Sequence, residues 1–480
     1  MSHLLSVERE CSTYWQLMPH DLKLEEIITA NPPKFVYSLD FFVHLIHLTI
    51  EIPAKNKVLR RKDGYVPLNA SILQRKNRKY HQHLEYLVEN KILEVKPNYK
   101  PGVKSRLYRI SEVYLKETLI EIMVSDQKLI KQLAKQYHLD FKMQKKYAYL
   151  QKWFNDGLQI DTEAAMAHCI QEIKQAPYDE LYQAHQHAYG KMFMIKMIHH
   201  KRYWFTVDEF GNRLHTNLTN LSKDLRQFVK YNGQSLVSID IKNSQPYISL
   251  KLLASKFPKI KQEKKEQQHN KHIQAYNTPV PIMLVKVPES GSAIDIQKYT
   301  DLVVSGELYE YMETEMRKAF GDEYFEQPYI FDLDKLETVK NDISPRDRVK
   351  KVMFQVFFSK NSTNSKEKKL FAKLFPNVMH LFNEYKGNKR ISLAERHKQL
   401  AKELQRTEAS IILDKVAWEI NRLNPDIPIY TIHDSIVTTE ENMEFVQQVM
   451  EKVITALVGF KPSLATEYWG EDSLKLKQAA

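Results

Sequence analysis

Residues 427–442 read "IPIYTIHDSIVTTEEN", and the fold prediction starts from this stretch. Two short runs rich in β-branched residues flank the polar pair His433-Asp434, which predicts a β-hairpin with the pair at or next to its turn. Such turns usually contain Gly or Asn, and this one contains neither. Because Asp is also an ordinary turn residue, the pair indicates a site only if a second acidic residue can lie beside it.

The best candidate for that second acid is Asp240 in "NGQSLVSIDIKNSQPYISLKLL", residues 232–253. The pattern predicts a turn, a buried strand that ends near Asp240, and a helix that begins around Ser244. Two carboxylates ~4 Å apart repel each other by about 4 kcal/mol at an effective dielectric constant near 20. They remain ionised together only beside cations, and Mg²⁺ suits such a pair because its other ligands are water and phosphate oxygens. The alternative for Asp240 alone is a helix cap.

A third stretch, "SPRDRVKKVMFQVFFSKN", covers residues 344–361. Ser344 and Pro345 predict a clean helix start. Cations and then rings recur every four residues along one stripe of this helix, at Arg346, Lys350, Phe354 and Phe358. Such a face can bind a triphosphate and stack against a base and a sugar. The alternative is an amphipathic helix with its rings in the core and its cations in water.

Composition favours a polyanionic partner. Among 480 residues, Lys and Arg outnumber Asp and Glu by 71 to 59, which gives a net charge of +12. This balance favours nucleic acid. We expect neither a membrane span nor a secretion signal, because no apolar run approaches the length that crosses a bilayer and the first residues lack a basic start before an apolar stretch. With only Cys11 and Cys169 present, disulfides and zinc are not expected, and we expect a cytoplasmic protein.

Residues 36–120 predict a small module with two helices followed by a basic β-hairpin, which is the order of a winged helix. Lys104 and Arg106 on the predicted wing are candidate nucleic-acid contacts, interleaved with tyrosines. The alternative is a small α+β cap with a solvated hairpin. Residues 121–202 are rich in Lys, Gln, Met and Leu and predict helices throughout.

Together, the three stretches resemble motifs A, B and C of the family A DNA polymerases and their relatives, the single-subunit phage-type RNA polymerases. The resemblance implies that Asp240, the backbone carbonyl of Ile241 and Asp434 bind two Mg²⁺ ions, for which Mn²⁺ can substitute. It also implies that the stripe on the 344–361 helix binds the incoming nucleotide. His433 then lies near the primer terminus.

Flanking segments resemble the same family in the same order, so the resemblance covers residues 203–470. "DEFGNRLHTNLTNL", from Asp208, is similar to the Arg-containing element before motif A, which places Arg213 near the nucleic-acid backbone. "QRTEASIILDKVAWEI", from Gln405, resembles the helix before motif C, which places Gln405 near the minor groove of the template–primer.

Motif A departs from the family pattern, because the Glu that normally selects the sugar is absent. Its place falls to Tyr247 or Gln245, depending on the alignment. Motif C ends in Ser435, as in the RNA polymerases, whereas Phe358 lacks the tyrosine hydroxyl of those enzymes. We expect deoxynucleotides because a bulky Tyr247 would exclude a 2′-hydroxyl.

The sequence predicts a predominantly helical α+β protein with an N-terminal winged helix, and the resemblance implies the palm, fingers and thumb of a right-handed polymerase. The expected divisions are an N-terminal segment (1–35), the winged helix (36–120), a helical thumb (121–202) and palm with fingers (203–480). We expect a DNA polymerase without proofreading exonuclease that binds primer–template and nucleoside triphosphates. The alternatives are an RNA polymerase or primase, a non-catalytic replication initiator that binds DNA, and a template-independent transferase. The sequence does not predict an oligomeric state.

Overall fold

The computed structural model describes residues 14–97, 105–134, 145–256, 294–327, 329–332, 337–340 and 344–470. The chain forms two compact units. The first comprises Met1–Thr206, His215–Ser235 and Trp469–Ala480, and the second comprises Val207–Leu214 and Leu236–Tyr468. The predicted segments 1–35, 36–120 and 121–202 all fall within the first unit.

The first unit is mainly helical. Its helices are α1 Leu24–Ala30, α2 Leu39–Lys55, α3 Ala70–Lys76, α4 Tyr80–Glu89, α5 Gln127–Ala134, α6 Ala148–Gln151, α7 Thr162–Gln175, α8 Leu181–His199 and α9 Asn217–Asn220. Its strands are β1 Tyr14–Pro19, β2 Val66–Leu68, β3 Leu93–Val95, β4 Arg106–Ile110, β5 Leu119–Val124, β6 Leu158–Ile160 and β9 Val229–Tyr231. Strands β7 Phe205–Val207 and β8 Leu214–Thr216 lie where the chain passes between the units.

Along the chain, strand β2 lies between helices α2 and α3, and strands β3 and β4 follow helix α4. The three strands form a small antiparallel sheet with the order β2-β4-β3. The two helices and the paired strands β3 and β4 thus occur in the order that the sequence predicts. The turn at Pro101-Gly102 and the candidate Lys104 lie outside the described residues. The prediction that residues 121–202 are entirely helical is wrong, because β5 pairs with β1 and β6 pairs with β9.

The second unit combines a helical layer with small antiparallel sheets. Its helices are α10 Ser244–Lys256, α11 Ile294–Ser305, α12 Leu308–Phe320, α13 Glu323–Glu326, α14 Pro345–Phe358, α15 Lys366–Leu374, α16 Pro376–Lys386, α17 Lys398–Ala409, α18 Trp418–Leu423 and α19 Met443–Val458. A π-helical segment, Ser410–Ala417, joins α17 to α18. Its strands are β10 Gln234–Ile241, β11 Tyr329–Asp332, β12 Glu337–Lys340, β13 Tyr430–Ile432, β14 Ser435–Thr439 and β15 Leu464–Tyr468.

Strand β10 occupies the middle of the antiparallel sheet of this unit, between β14 and β15, and β13 pairs with the other side of β14. Its run Leu236–Ile239 is fully buried, as a nearly continuous apolar run predicts for a central strand. Helix α19 and the π-helical segment pack against β14 and against each other. The sheet is therefore covered by helices along β14.

Helix α14 begins where the sequence predicts. The Ser344 hydroxyl accepts a hydrogen bond from the Asp347 amide, and Pro345 occupies the first turn. Its buried face packs into an aromatic core in which the Phe357 ring lies 4.9 Å from the Phe382 ring. Phe371, Phe375 and Tyr299 extend the same core. None of the helices in the described ranges has the length and apolar composition that a membrane span requires.

Candidate functional site

The hairpin of β13 and β14 carries His433 and Asp434 as its two-residue connection. Ile432 pairs with Ser435, so the connection is the tight turn that the sequence predicts. His433 has a φ of 54°, in the left-handed region that Gly or Asn would adopt at low cost. A histidine there carries strain, and strained non-glycine residues are most common where function requires a particular side chain.

Asp240 lies at the same end of the sheet as Asp434. In the antiparallel register of β10 and β14, Asp240 is directly opposite Ser435, the residue after Asp434. Directly opposed residues have Cα atoms about 4.5–5.5 Å apart, so the backbones of the two aspartates are near neighbours. Ile241 completes β10, and its side chain is buried. The two carboxylates and the Ile241 carbonyl are oxygen donors of the type that Mg²⁺ and Mn²⁺ take.

The carboxyl group of Asp434 is half-buried in an environment that favours added positive charge. Burial and the negative charge of Glu408 raise the pKa of Asp434 to about 6, although a hydrogen bond from Ser244 and the positive charge of Arg213 act in the opposite direction. A proton or a metal cation would relieve the same excess of negative charge.

Glu408 on α17 forms hydrogen bonds with Arg213, Ser244 and Gln245. It is not among the candidate site residues that the sequence predicts. Its side chain is only 1% exposed. One carboxylate oxygen accepts hydrogen bonds from Nε and Nη2 of Arg213 at 2.9 and 2.5 Å. The other accepts from the Ser244 hydroxyl at 3.0 Å and from the Gln245 amide at 2.5 Å. These four donors occupy the lone pairs of the carboxylate.

The predicted nucleic-acid residues Arg213 and Gln405 lie together beside this cluster. Asp208 closes the loop 208–213 by accepting from the Gly211 and Arg213 amides. Gln405 packs against Gly211, where an added Cβ would lie 2.6 Å from the Gln405 amide oxygen. Glycine is therefore required for this approach. The next residue, Arg406, donates to the carbonyls of Glu209 and Phe210 and fixes the loop on α17.

The predicted stripe on α14 lies on the outward face of the helix. Arg346 and Lys350 are exposed, Phe354 is 40% exposed, and the Phe358 ring stacks on the Phe354 ring with centroids 5.7 Å apart. The core ring is Phe357, which is fully buried and packs against Phe382. The alternative that places Phe354 in the core is therefore wrong.

Tyr309 on α12 lies beside that stripe and responds to the charge of Asp434, and its only signal in the sequence is its place in a helical pattern. The Arg346 guanidinium lies 5.4 Å from the centre of the Tyr309 ring and pairs with Glu310 at 2.8 Å. Burial raises the pKa of Tyr309 to about 12; Arg346 acts to lower it and the charge of Asp434 to raise it further. The phenol thus lies within electrostatic reach of both residues.

Tyr247 does not fit the sugar-contacting role that was expected of it. Its side chain is fully buried, and its hydroxyl donates to the Phe460 carbonyl at 2.6 Å. A residue enclosed in the core cannot exclude a 2′-hydroxyl by its bulk. Gln245, the other candidate at this position, is half-buried and contacts Glu408 beside Ser244.

In the first unit, only part of the predicted basic hairpin is described. Arg106 is exposed. Two neighbouring cations are used internally: Lys96 pairs with Asp63 at 2.5 Å, and Arg109 pairs with Glu94 at 2.7 Å while lying over the Tyr182 ring. The charge available to a polyanion on this hairpin is therefore smaller than its sequence suggests.

A second acidic cluster, His168, Glu172 and Asp224, also lies in the first unit. The Lys191 ammonium group lies 2.5 Å from Glu172 and 2.6 Å from Asp224. Burial opposes ionisation of Asp224, but hydrogen bonds from Lys191 and Ser222 lower its pKa to about 2. An ammonium group thus already supplies the positive charge, and we interpret this cluster as a structural ion-pair network.

The chain matches solved structures but no protein-family model and no curated sequence. Among solved structures, the polymerase domain of Pol1 from M. smegmatis, in complex with a DNA primer–template and a dNTP, is similar to this chain. The TM-score is 0.42 and the identity 13%, over 72% of this chain and 73% of that chain. A similarity of this extent does not decide a function, so the side-chain geometry has to carry the interpretation.

Proposed function

We propose that the chain is a template-directed polymerase of the family A type, a nucleotidyltransferase that extends a primer with nucleoside triphosphates. The observation that carries this proposal is the set of groups around Asp434. Asp240 lies on the adjacent strand, Ser244 and Glu408 act on the pKa of the carboxyl group, and Tyr309, whose pKa responds to Asp434, lies beside Arg346 on the outward stripe of α14. Acids for cations, donors for phosphate and rings for a base thus lie in one unit.

Each group has a role in this proposal. Asp240 and Asp434, with the Ile241 carbonyl, would hold Mg²⁺, which when bound lowers the pKa of a 3′-hydroxyl and neutralises the leaving pyrophosphate. Arg346 and Lys350 bind the triphosphate, and Tyr309 offers a hydroxyl donor beside Arg346. The stacked rings of Phe354 and Phe358 contact the base and the sugar. Arg213, Gln405 and His433 hold the primer–template. Chemistry of this kind depends on positioning and charge rather than on a protein nucleophile.

Extension of a 5′-labelled primer on a template, with Mg²⁺ and all four dNTPs, tests the proposal. We expect extension by the wild type and a loss of about 10²-fold or more in Asp434→Ala. Asp426→Ala is the matched control, because Asp426 is an exposed residue just before the same hairpin. Equal extension by wild type and Asp434→Ala would refute the proposed chemistry.

The choice of sugar needs a separate experiment, because the burial of Tyr247 removes the main reason to expect deoxynucleotides. Phe358, which has no hydroxyl to offer a ribose, still favours dNTPs, and we propose them as the substrate. Single-nucleotide addition with dNTPs and with rNTPs in parallel distinguishes the two. Exclusive use of rNTPs would instead identify an RNA polymerase or primase.

The element order of residues 39–110 favours a second candidate, a non-catalytic initiator that binds DNA through a winged helix. Helix α2, strand β2, helices α3 and α4 and strands β3 and β4 follow one another with the sheet order β2-β4-β3. This candidate predicts DNA binding by the wild type and by Asp434→Ala, without primer extension by either.

A further inference from the structure

Glu408 combines features that neither a surface acid nor a metal ligand would have. It is almost completely buried, and it accepts a hydrogen bond from Ser244, four residues after Asp240 at the end of β10; its charge also acts to raise the pKa of Asp434. A buried carboxylate beside a second carboxylate is costly unless both are compensated. A core position on α17 would be filled at lower cost by an apolar residue, so the retention of an acid there requires an explanation.

Its contacts exclude direct metal binding. Arg213 occupies one carboxylate oxygen with two hydrogen bonds, and Ser244 and Gln245 occupy the other. An ionised carboxylate has about four lone-pair sites, and here four donors use them. A metal ion could bind Glu408 only by displacing one of these donors from a buried position.

The same contacts connect the proposed nucleic-acid contact Arg213 to Ser244, beside the proposed metal ligands. Arg213, on the loop 208–213, is the predicted nucleic-acid contact, and its side chain is 20% exposed while its Nε edge is held by Glu408. Ser244, at the start of α10, donates to Glu408 and also acts to lower the pKa of Asp434. Its hydroxyl has one proton, and that proton is directed at Glu408.

We infer that Glu408 is a positioning residue that strengthens cation binding at Asp434 and orients Arg213 and Ser244 around it. This inference rests on the proposed function and adds to it a buried acid outside the motifs. The negative charge of Glu408 attracts a cation to Asp434. The hydrogen bonds from Arg213 to Glu408 hold the Arg213 guanidinium in place, so that it does not occupy the cation position itself. Partners of this kind typically change metal affinity by about 10- to 100-fold when they are lost.

Titration of the full-length chain with Mn²⁺ alone, followed by electron paramagnetic resonance of the free ion, tests this without reference to activity. We expect Glu408→Gln to weaken Mn²⁺ binding about tenfold or more. The amide keeps the size of the side chain but removes the charge, and its NH₂ group faces donors that previously had an acceptor. Glu408→Asp restores the charge and should bind Mn²⁺ more tightly than Glu408→Gln. Asp434→Asn should remove the site.

Two further variants separate this role from a general loss of structure. Glu403→Gln removes one negative charge from the same helix, beside Arg406 and Lys251 rather than Asp434, and should bind Mn²⁺ as the wild type does. Arg213→Gln removes the positive charge near Asp434 and should tighten Mn²⁺ binding, the opposite of the effect at Glu408. Partial unfolding would instead weaken Mn²⁺ binding in Arg213→Gln as well as in Glu408→Gln.

Unchanged Mn²⁺ affinity in Glu408→Gln, or weaker binding in Arg213→Gln as well, would overturn the inference. Its failure is distinguishable from failure of the proposed function. A wild type that extends primers while Glu408→Gln binds Mn²⁺ normally contradicts the role of Glu408 alone. A wild type that shows all the expected Mn²⁺ effects but extends no primer contradicts the polymerase activity alone.

Discussion

At the scale of single residues, Asp434 is placed where a carboxylate is unfavourable in the absence of a cation. Burial and Glu408 raise its pKa to about 6. Cation binding requires the ionised form. We therefore expect Mg²⁺-dependent activity to fall as the pH falls through about 6, as Asp434 takes up a proton, and the half-saturating Mg²⁺ concentration to rise over the same range. Primer extension across pH 5–8 at several Mg²⁺ concentrations measures this.

The same shift predicts a cost in stability when cations are removed. The folded protein binds a proton at Asp434 more tightly than the unfolded chain does, so the contribution of this group to stability is present below the unfolded pKa of about 4 and is lost as the pH rises through about 6. With EDTA present, we expect Asp434→Asn to melt at a higher temperature than the wild type at pH 8. The difference should shrink towards pH 4. A lower melting temperature of the variant at pH 8 would contradict this account.

Tyr247 and Glu408 illustrate why parts of the site could not be predicted from the sequence. Tyr247 is enclosed through its bond to Phe460, 213 positions away, and Glu408 acquires its role from Arg213, 195 positions away. Nothing in "QRTEAS" distinguishes an acid that points into the core from a solvated one. The hairpin turn was predictable because its signal, two β-branched runs around a polar pair, is local.

At the scale of elements, α14 separates a stacking face from a core face, and its two faces allow a matched test. Phe354 is 40% exposed, whereas Phe357 is fully buried among aromatic rings. We expect Phe354→Ala to change the free energy of unfolding by less than about 0.5 kcal/mol but to lower kcat/KM for the incoming nucleotide about tenfold. Phe357→Ala should cost about 3–5 kcal/mol of stability. Urea unfolding and single-nucleotide kinetics measure the two effects, and a large loss of stability in Phe354→Ala would place that ring in the core.

The C-terminal end of α14 is held by a buried lysine. Lys386 on α16 is 2% exposed and donates to the Val356 carbonyl at 2.8 Å, one of the last four carbonyls of the helix. Burial and the nearby positive charge of Lys368 lower its pKa to about 7. Between about pH 7 and 10.5 the unfolded chain binds the proton more tightly, so this lysine destabilises the folded protein less as the pH rises.

Replacement of that lysine should therefore have a pH-dependent effect. We expect Lys386→Met to raise the melting temperature relative to the wild type by more at pH 6 than at pH 9, because only at the lower pH does the wild type carry a buried charge. Lys369→Met, at an exposed position on α15, is the control and should show no such difference. A Lys386→Met effect of equal size at both pH values would mean that the ammonium group stays charged in the folded state.

Elements that depend on neighbouring residues could be predicted from the sequence, whereas elements that depend on distant residues could not. The start of α14 was predicted to the residue, since Ser344 and Pro345 act on the next turn alone. Strand β5 was missed, because residues 121–202 were assigned from composition, whereas β5 exists through pairing with β1, over a hundred positions away. The alternation in "LIEIMV" is compatible with a strand, but without its partner it is too short to outweigh a helical background.

At the scale of the whole molecule, the net charge of +12 is the property that most directly predicts behaviour. In the first unit, the last residues of α3 and the turn before α4 read "RKNRK", residues 75–79, and Arg75, Arg78 and Lys79 are exposed. These cations lie next to the start of α4, whereas Lys96 and Arg109 on the neighbouring strands are paired with acids. We therefore expect this turn to contribute more to phosphate contacts than β3 and β4 do.

The salt dependence of DNA binding tests that expectation. Each phosphate contact adds about 0.9 to the negative slope of log K against log salt concentration for duplex DNA. Arg75→Gln combined with Arg78→Gln should weaken binding of a fluorescent duplex and reduce that slope by about 2, as measured by anisotropy between 50 and 200 mM salt. Arg109→Gln should leave the slope unchanged and lower the melting temperature instead, because Arg109 bonds Glu94 and lies over Tyr182. If Arg109→Gln reduced the slope and the double variant did not, the strands rather than the turn would carry the contact with DNA.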